Sequence, residues 1–142
     1  MANKYQAKEF ISEERVRIYD TDVQGVVHYA GYYRFFTDAF EQFSRKELGA
    51  DFPIFSKGIW FVAVESNASY HKPARLGDKL RTHVSVELTG MKTMRLRFRI
   101  HKDASVICDG SIVLVSIDSK VWKAVRIPVD LVAKMKKKGY IA

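Results

Sequence analysis

Residues 29–48 read YAGYYRFFTDAFEQFSRKEL, and the spacing of their aromatic side chains decides the fold. Tyr32, Phe36, Phe40 and Phe43 recur at steps of three or four. That spacing lines side chains along one face of a helix. Tyr33, Phe35 and Ala39 widen the stripe, so that residues 29–43 carry seven aromatics in 15 positions. So much apolar surface on one helix has to be covered by something broad, and a curved sheet is the natural cover. Gly49 follows directly, at the place where a left-handed residue commonly ends a helix.

The rest of the chain supplies that sheet. Residues 10–19 alternate with β-branched and aromatic positions and read as a strand, which DTDVQG (residues 20–25) interrupts as a turn. Residues 59–72 read as a second strand. The clearest pattern spans residues 79–102. Leu80, Val84, Val86 and Leu88 fall on even positions, and Lys79, Arg81, His83 and Glu87 on odd ones. After Gly90, Met94, Leu96, Phe98 and Ile100 are even, while Arg95, Arg97, Arg99 and His101 are odd. This predicts a hairpin with one apolar and one basic face. Two further strands are expected near 105–118 and 121–127, and Pro128 suits the first turn of a short helix ending in the Lys134–Lys138 run. The order is strand, long helix, then four or five antiparallel strands. This is an α+β architecture, one long central helix wrapped by a five- or six-stranded antiparallel sheet.

Composition narrows the function. The chain has 142 residues, 24 Lys plus Arg against 16 Asp plus Glu, and a formal net charge of +8. The length fits one domain over residues 1–142. With 47% apolar and 28% charged residues the profile is globular. No apolar run is long enough for a transmembrane helix, and MANKYQAKEF lacks the apolar stretch of a signal peptide. A single cysteine, Cys108, excludes an internal disulfide and a Cys-rich metal site, which places the expectation in the cytoplasm. The positive charge points to an anionic partner. It is concentrated: residues 79–102 hold seven Lys/Arg against one Glu, and four more lysines lie at 134, 136, 137 and 138.

Two segments, YDTDVQGVVHYAGYYRFF (19–36) and YHKPARLGDKL (70–80), together with this order of elements, resemble one family. The first is similar to the signature of the 4-hydroxybenzoyl-CoA thioesterase family of hotdog-fold acyl-CoA thioesterases. It has an Asp-x-Asp pair, a Gly three residues on and a Tyr-rich helix start. The second resembles the Pro-Ala-Arg-x-Gly-Asp stretch between two core strands of that family. The resemblance implies a hotdog fold and hydrolysis of an acyl-CoA to a carboxylic acid and free CoA, with no metal or other cofactor. It further implies a homodimer or dimer of dimers with active sites at the subunit interface.

Residue by residue, the family's catalytic carboxylate falls on Asp22 and its backbone oxyanion donor on Tyr29. A thioester hydrolase needs both: a carboxylate as nucleophile or general base, and N–H donors for the developing oxyanion. Gly25 matches the glycine that turns the chain between them. His28 occupies the helix start in the order His-Tyr and is read as packed more than catalytic. Thr37 stands where the hydroxybenzoyl enzyme has an aspartate reading the substrate hydroxyl, which argues against that substrate. Asp38 and Glu41 are the helix carboxylates that other hotdog thioesterases would use. Lys92 and Thr93 match phosphate-holding positions, with Arg95 expected to assist. Asp20, Arg75 and Asp78 are read as structural, Cys108 as a buried small hydrophobe, and His71, His83 and His101 as surface or interface residues without metal-ligand spacing. Acyl carrier protein is a further conceivable thioester donor. The rival reading is a non-catalytic hotdog that binds an acyl-CoA or a nucleic acid. Nucleic acid is the weaker partner, because Phe98 falls on the apolar face of the basic hairpin and no cations interleave with exposed aromatics there.

Overall fold

The computed structural model describes residues 7–49 and 58–142. The elements run β1 (Phe10–Arg15), a 3₁₀ turn (Ile18–Asp20), α1 (Tyr32–Glu47), β2 (Ile59–Tyr70), β3 (Lys79–Leu88), β4 (Thr93–Lys102), β5 (Ser105–Asp118), β6 (Lys123–Ala124) and α2 (Val129–Lys137). Five strands form one antiparallel sheet in the order β1-β3-β4-β5-β2, and the two-residue β6 joins the end of β5, which makes six strands. This is the hotdog arrangement, α+β, with α1 laid on the sheet.

The even–odd pattern of the hairpin survives in the folded chain. Leu80, Thr82, Val84 and Val86 on β3 are buried, as are Met94, Leu96, Phe98 and Ile100 on β4, while the intervening cations face outward. The aromatic stripe of α1 meets this inner face. Phe36 stacks on Phe98 with ring centroids 4.7 Å apart. Gly110 on β5 lets that ring approach, since a Cβ there would sit 2.9 Å from it. Phe43 closes the other end of the stripe against Phe10 and Tyr140.

Several boundaries differ from the sequence expectation, each for a local reason. Helix α1 begins at Tyr32 rather than Tyr29, because residues 28–31 close a turn of their own, Gly31 N–H donating to His28 O at 2.8 Å. The first strand ends at Arg15, where the 3₁₀ turn begins to fold the chain back toward α1. The expected 121–127 strand shrinks to Lys123–Ala124, since Trp122 takes a left-handed backbone (φ 57°) just before it. The Lys134–Lys138 run is more than a solvated end: Lys134 donates to Leu48 O at 3.0 Å, capping α1, and Lys138 pairs with Glu47 at 3.3 Å. Gly49 does adopt the left-handed cap, with φ of 62°. The 49–58 loop, on whose closure the depth of an acyl pocket would depend, lies mostly outside the described residues.

Strand β2 is the edge that matters for the site. Among the described residues it hydrogen-bonds on one side only, to β5, and most of its 12 residues are exposed. Its last residue, Tyr70, leads straight into the Pro-Ala-Arg segment.

Candidate active site

The two sequence motifs form one clasp. Residues 20–28 fold into a small antiparallel loop in which Asp22 N–H donates to Val26 O (2.9 Å) and His28 N–H to Asp20 O (3.1 Å). Thr21 bridges Val27 across it. The turn closes at Gly25, whose φ of +77° is open to glycine and costly for other residues. Residues 74–76 then lie alongside: Val27 N–H donates to Ala74 O (2.8 Å) and Leu76 N–H to Gly25 O (3.0 Å), with a bridge from Val26 to Arg75. The second motif is therefore the backbone strap that holds the first.

Asp78 secures the strap by accepting the backbone N–H of Arg75 at 2.8 Å and pairing with Lys102 at 3.1 Å. The structural reading of Asp78 stands, with Lys102 as its cationic partner. Asp20 is buried and structural. It receives two bonds from Arg34 and a third from Arg17 N–H at 2.7 Å. Asp22, two residues on, is exposed, and its carboxylate has one partner among the described residues, the Gln24 N–H at 2.8 Å. Of the Asp-x-Asp pair, one carboxylate is consumed by the fold and the other is presented to solvent.

Tyr29 follows the loop, its side chain 76% exposed. Its carbonyl accepts the Tyr70 hydroxyl at 2.8 Å, while its N–H has no acceptor among the described residues. The same holds for the N–H of Ala30. These free donors stand just ahead of α1, on the positive side of its dipole. Beside them lies a cavity of about 340 Å³ lined by Val27, Tyr29, Tyr32, Tyr70, His71, Lys72 and Pro73. Its walls are mostly aromatic. Tyr32 and Tyr70 pack with ring centroids 5.5 Å apart, and burial raises the pKa of both phenols; the Tyr32 hydroxyl accepts Ala74 N–H at 3.4 Å.

The structure thus brings Asp22, Gly25, His28 and Tyr29 into one loop. His28 is half-buried, with its ring edge-on to Tyr29 at 6.2 Å, which accords with a packing role. Thr37 is exposed on α1 and outside the cavity lining. Asp38 and Glu41 are held by Arg34 (2.6 Å) and Arg45 (3.2 Å) respectively, so the helix carboxylates are engaged. Lys92 and Thr93 sit at the β3–β4 turn, where Lys92 O accepts Ser116 N–H and the Thr93 hydroxyl bonds that of Thr89. Arg95, on β4, faces Glu87 and Val113 across the sheet. None of these three touches the Asp22 loop within the chain.

Two residues escaped the sequence reading. Arg34 had a usable signal, its i,i+4 spacing to Asp38; Tyr70 had none, since it meets Tyr29 across 41 positions. His83 and His101 proved to be neighbours, their rings 4.7 Å apart on the outer face, with Glu9 3.7 Å from His83. No group of three or more His, Cys, Asp or Glu that could hold a metal occurs among the described residues. Cys108 is buried, and that burial pushes its thiol pKa up to about 12, which disfavours the nucleophilic thiolate. No helix among the described residues is long and apolar enough to cross a membrane.

Comparison with known proteins agrees with this fold. A family model described as the Thioesterase-like superfamily matches residues 16–135. The acyl-CoA thioester hydrolase YbgC of Escherichia coli O6:H1 is 28% identical over 126 residues, which cover 85% of this chain and 92% of that protein. Among solved structures, a gentisyl-coenzyme A thioesterase superposes with a TM-score of 0.75 at 27% identity, covering 85% of this chain and 98% of the other. Slr0204, a 1,4-dihydroxy-2-naphthoyl-CoA thioesterase from Synechocystis, shares the fold, with a TM-score of 0.83, 20% identity and coverage of 91% and 96%.

Proposed function

Because the chain belongs to the Thioesterase-like superfamily, we propose that it is an acyl-CoA thioesterase in which Asp22 and the Tyr29 N–H carry the reaction. The observation behind this reading is the division of labour in the 20–29 loop. Asp20 is buried and neutralised by Arg34, Asp22 is exposed two residues away, and an unpartnered N–H follows at the entry to α1. The thioester carbonyl oxygen accepts from Tyr29 N–H, where the peptide dipole meets the growing negative charge. Asp22 acts at the carbonyl carbon in one of two ways. Its carboxylate attacks directly, expelling CoA thiolate and leaving a mixed anhydride that water opens, or it removes a proton from an attacking water. Either route yields the carboxylic acid and CoA from chain groups and water alone, and calls for no cofactor.

The remaining assignments support that reaction. The aromatic cavity suits the acyl group. Lys92 and Arg95 have no ion-pair partner among the described residues, whereas neighbouring Arg97 is held by Glu87 at 3.0 Å, so the first two are available to the CoA phosphates, with Thr93 beside them. A second copy pairing along the open edge of β2 would give a homodimer, and since Tyr70 ends that strand, the site would lie at the junction.

The test is hydrolysis of a panel from acetyl- to palmitoyl-CoA plus benzoyl- and phenylacetyl-CoA, read by thiol release. Asp22→Asn and Asp22→Ala are expected to lose at least a hundredfold in kcat while keeping the wild-type melting temperature, because the side chain makes one local bond. Full turnover in both variants would overturn the assignment. A single turnover in ¹⁸O-water separates the routes: label enters Asp22 during regeneration only if Asp22 is the nucleophile.

A further inference from the structure

We infer that Tyr70 is a positioning residue of the oxyanion site, and that the turn it holds presents two consecutive amide donors, those of Tyr29 and Ala30. The inference rests on the thioesterase reading above and adds to it a second donor and the side chain that aims it.

The argument is covalent geometry. In a trans peptide the N–H points opposite to the C=O of the same plane. The His28 carbonyl is fixed by Gly31 N–H at 2.8 Å, so the Tyr29 N–H is directed away from that bond. The next plane has no such partner inside the turn. In a continued helix the Tyr29 carbonyl would accept from Tyr33, but Tyr33 N–H goes instead to Ala30 O at 3.2 Å. The Tyr70 hydroxyl takes the vacant role, donating to Tyr29 O at 2.8 Å and thereby fixing the direction of the Ala30 N–H.

Tyr70 is well placed for this. Its ring packs on Tyr32 in the first turn of α1 (5.5 Å between centroids), so the hydroxyl is delivered from a braced side chain. Its backbone is the last residue of β2 and the first of the strap that clasps the Asp22 loop. One side chain thus ties the sheet edge to the turn carrying the donors, and preorganised donors of this kind stabilise the transition state more than the ground state, so they act chiefly on the rate.

The experiment compares Tyr70→Phe with wild type and Asp22→Asn on the best substrate of the panel. Tyr70→Phe keeps the ring and is expected to lower kcat about tenfold, with KM changed less than twofold and the melting temperature preserved. A purely structural role would lower the melting temperature or leave kcat untouched. In parallel, the Tyr29 ¹³C carbonyl resonance is expected to move upfield and the Ala30 amide to broaden in Tyr70→Phe, readouts that need no turnover. Unchanged kcat in Tyr70→Phe alongside a dead Asp22→Asn overturns the positioning role and leaves the thioesterase reading intact. Unaltered Tyr29 and Ala30 resonances overturn it whatever the activity. Absence of hydrolysis by the wild type across the panel, with those resonances shifted as expected, overturns the thioesterase reading instead.

Discussion

Arg34 grips the buried carboxylate of Asp20 with both Nε and Nη2, at 2.6 and 2.5 Å, and joins α1 to the loop that presents Asp22. The same guanidinium reaches Asp38 at 2.6 Å and the Arg15 carbonyl at 3.1 Å. The planar fork of arginine serves four acceptors at once, and its pKa is driven upward, first by the hydrogen bond to Asp20. Removing Arg34 leaves Asp20 unpaired in a site where it is 2% exposed, and removing the Asp20 charge leaves Arg34 with Asp38 as its remaining carboxylate. Asp20→Asn is therefore expected to cost about 3 kcal/mol in urea unfolding. Arg34→Lys should be nearly as damaging, because one ammonium cannot reproduce the fork. A loss under 1 kcal/mol in both would show that the pair does not anchor the loop.

Gly31 lies where the same loop presses hardest on the helix entry. A Cβ there would stand 2.8 Å from Asp20 O and 2.9 Å from Val27 Cγ1. The obstruction includes backbone, so it cannot swing aside. Gly31→Ala is expected to lose about 2 kcal/mol of stability, within the range for overpacking. It should also reduce turnover more than tenfold, since the displaced residues are those that position Asp22. Thermal unfolding and thiol release on the same preparation check both halves. A variant that is stable and fully active would mean that the loop has room the geometry does not show.

How far the sequence reveals this arrangement depends on the range of the interaction. The stripe from Tyr32 to Phe43 and the alternation from Lys79 to Lys102 repeat with the period of the element they build, so helix, hairpin and basic face are all legible. Asp22 and Tyr29 enter as candidates through resemblance alone, since residue spacing does not distinguish a catalytic aspartate from a turn former. The pair Asp20 and Arg34 was hidden by its 14-residue separation, and Tyr70 by 41. The helix start moved from Tyr29 to Tyr32 because residues 28–31 close a turn of their own, and a long-range contact accompanies that turn. The Tyr29 carbonyl is claimed by a hydroxyl from β2, a competitor that helix periodicity cannot register.

A second ionisable contact contributes to the acid limb of stability. Tyr140 donates to Glu47 at 2.6 Å, joining the chain end to the last turn of α1. That hydrogen bond, ahead of Lys138 and Lys8, lowers the pKa of Glu47, while burial and then Glu47 raise that of Tyr140. The Glu47 contribution is accordingly present above its ordinary value of 4.5 and lost as pH falls through the lowered one. The Tyr140 contribution is present below its ordinary value of 10.0 and lost as pH rises through the raised one. Glu47→Gln is expected to cost about 1 kcal/mol at pH 7 and progressively less at acid pH, measured as urea midpoints. An equal cost at neutral and acid pH would assign the effect to packing.

The basic turn at Lys92 is the part of the proposed site that lies far from Asp22 along the chain, and its proposed role separates cleanly from chemistry. If Lys92 and Arg95 hold the CoA phosphates, they bind a part of the substrate that does not change during hydrolysis, so they contribute uniformly to ground and transition states. The double variant Lys92→Ala, Arg95→Ala is then expected to raise KM for acyl-CoA about tenfold with kcat unchanged. Added salt should raise the wild-type KM in the same way, since exposed charges are screened. An acyl-pantetheine with the same acyl group, lacking all the phosphates, supplies the control. Its kcat/KM should be equal in wild type and variant, and insensitive to salt. If the double variant weakens turnover of acyl-pantetheine as much as that of acyl-CoA, the two cations support the fold of the hairpin and the phosphates are held elsewhere.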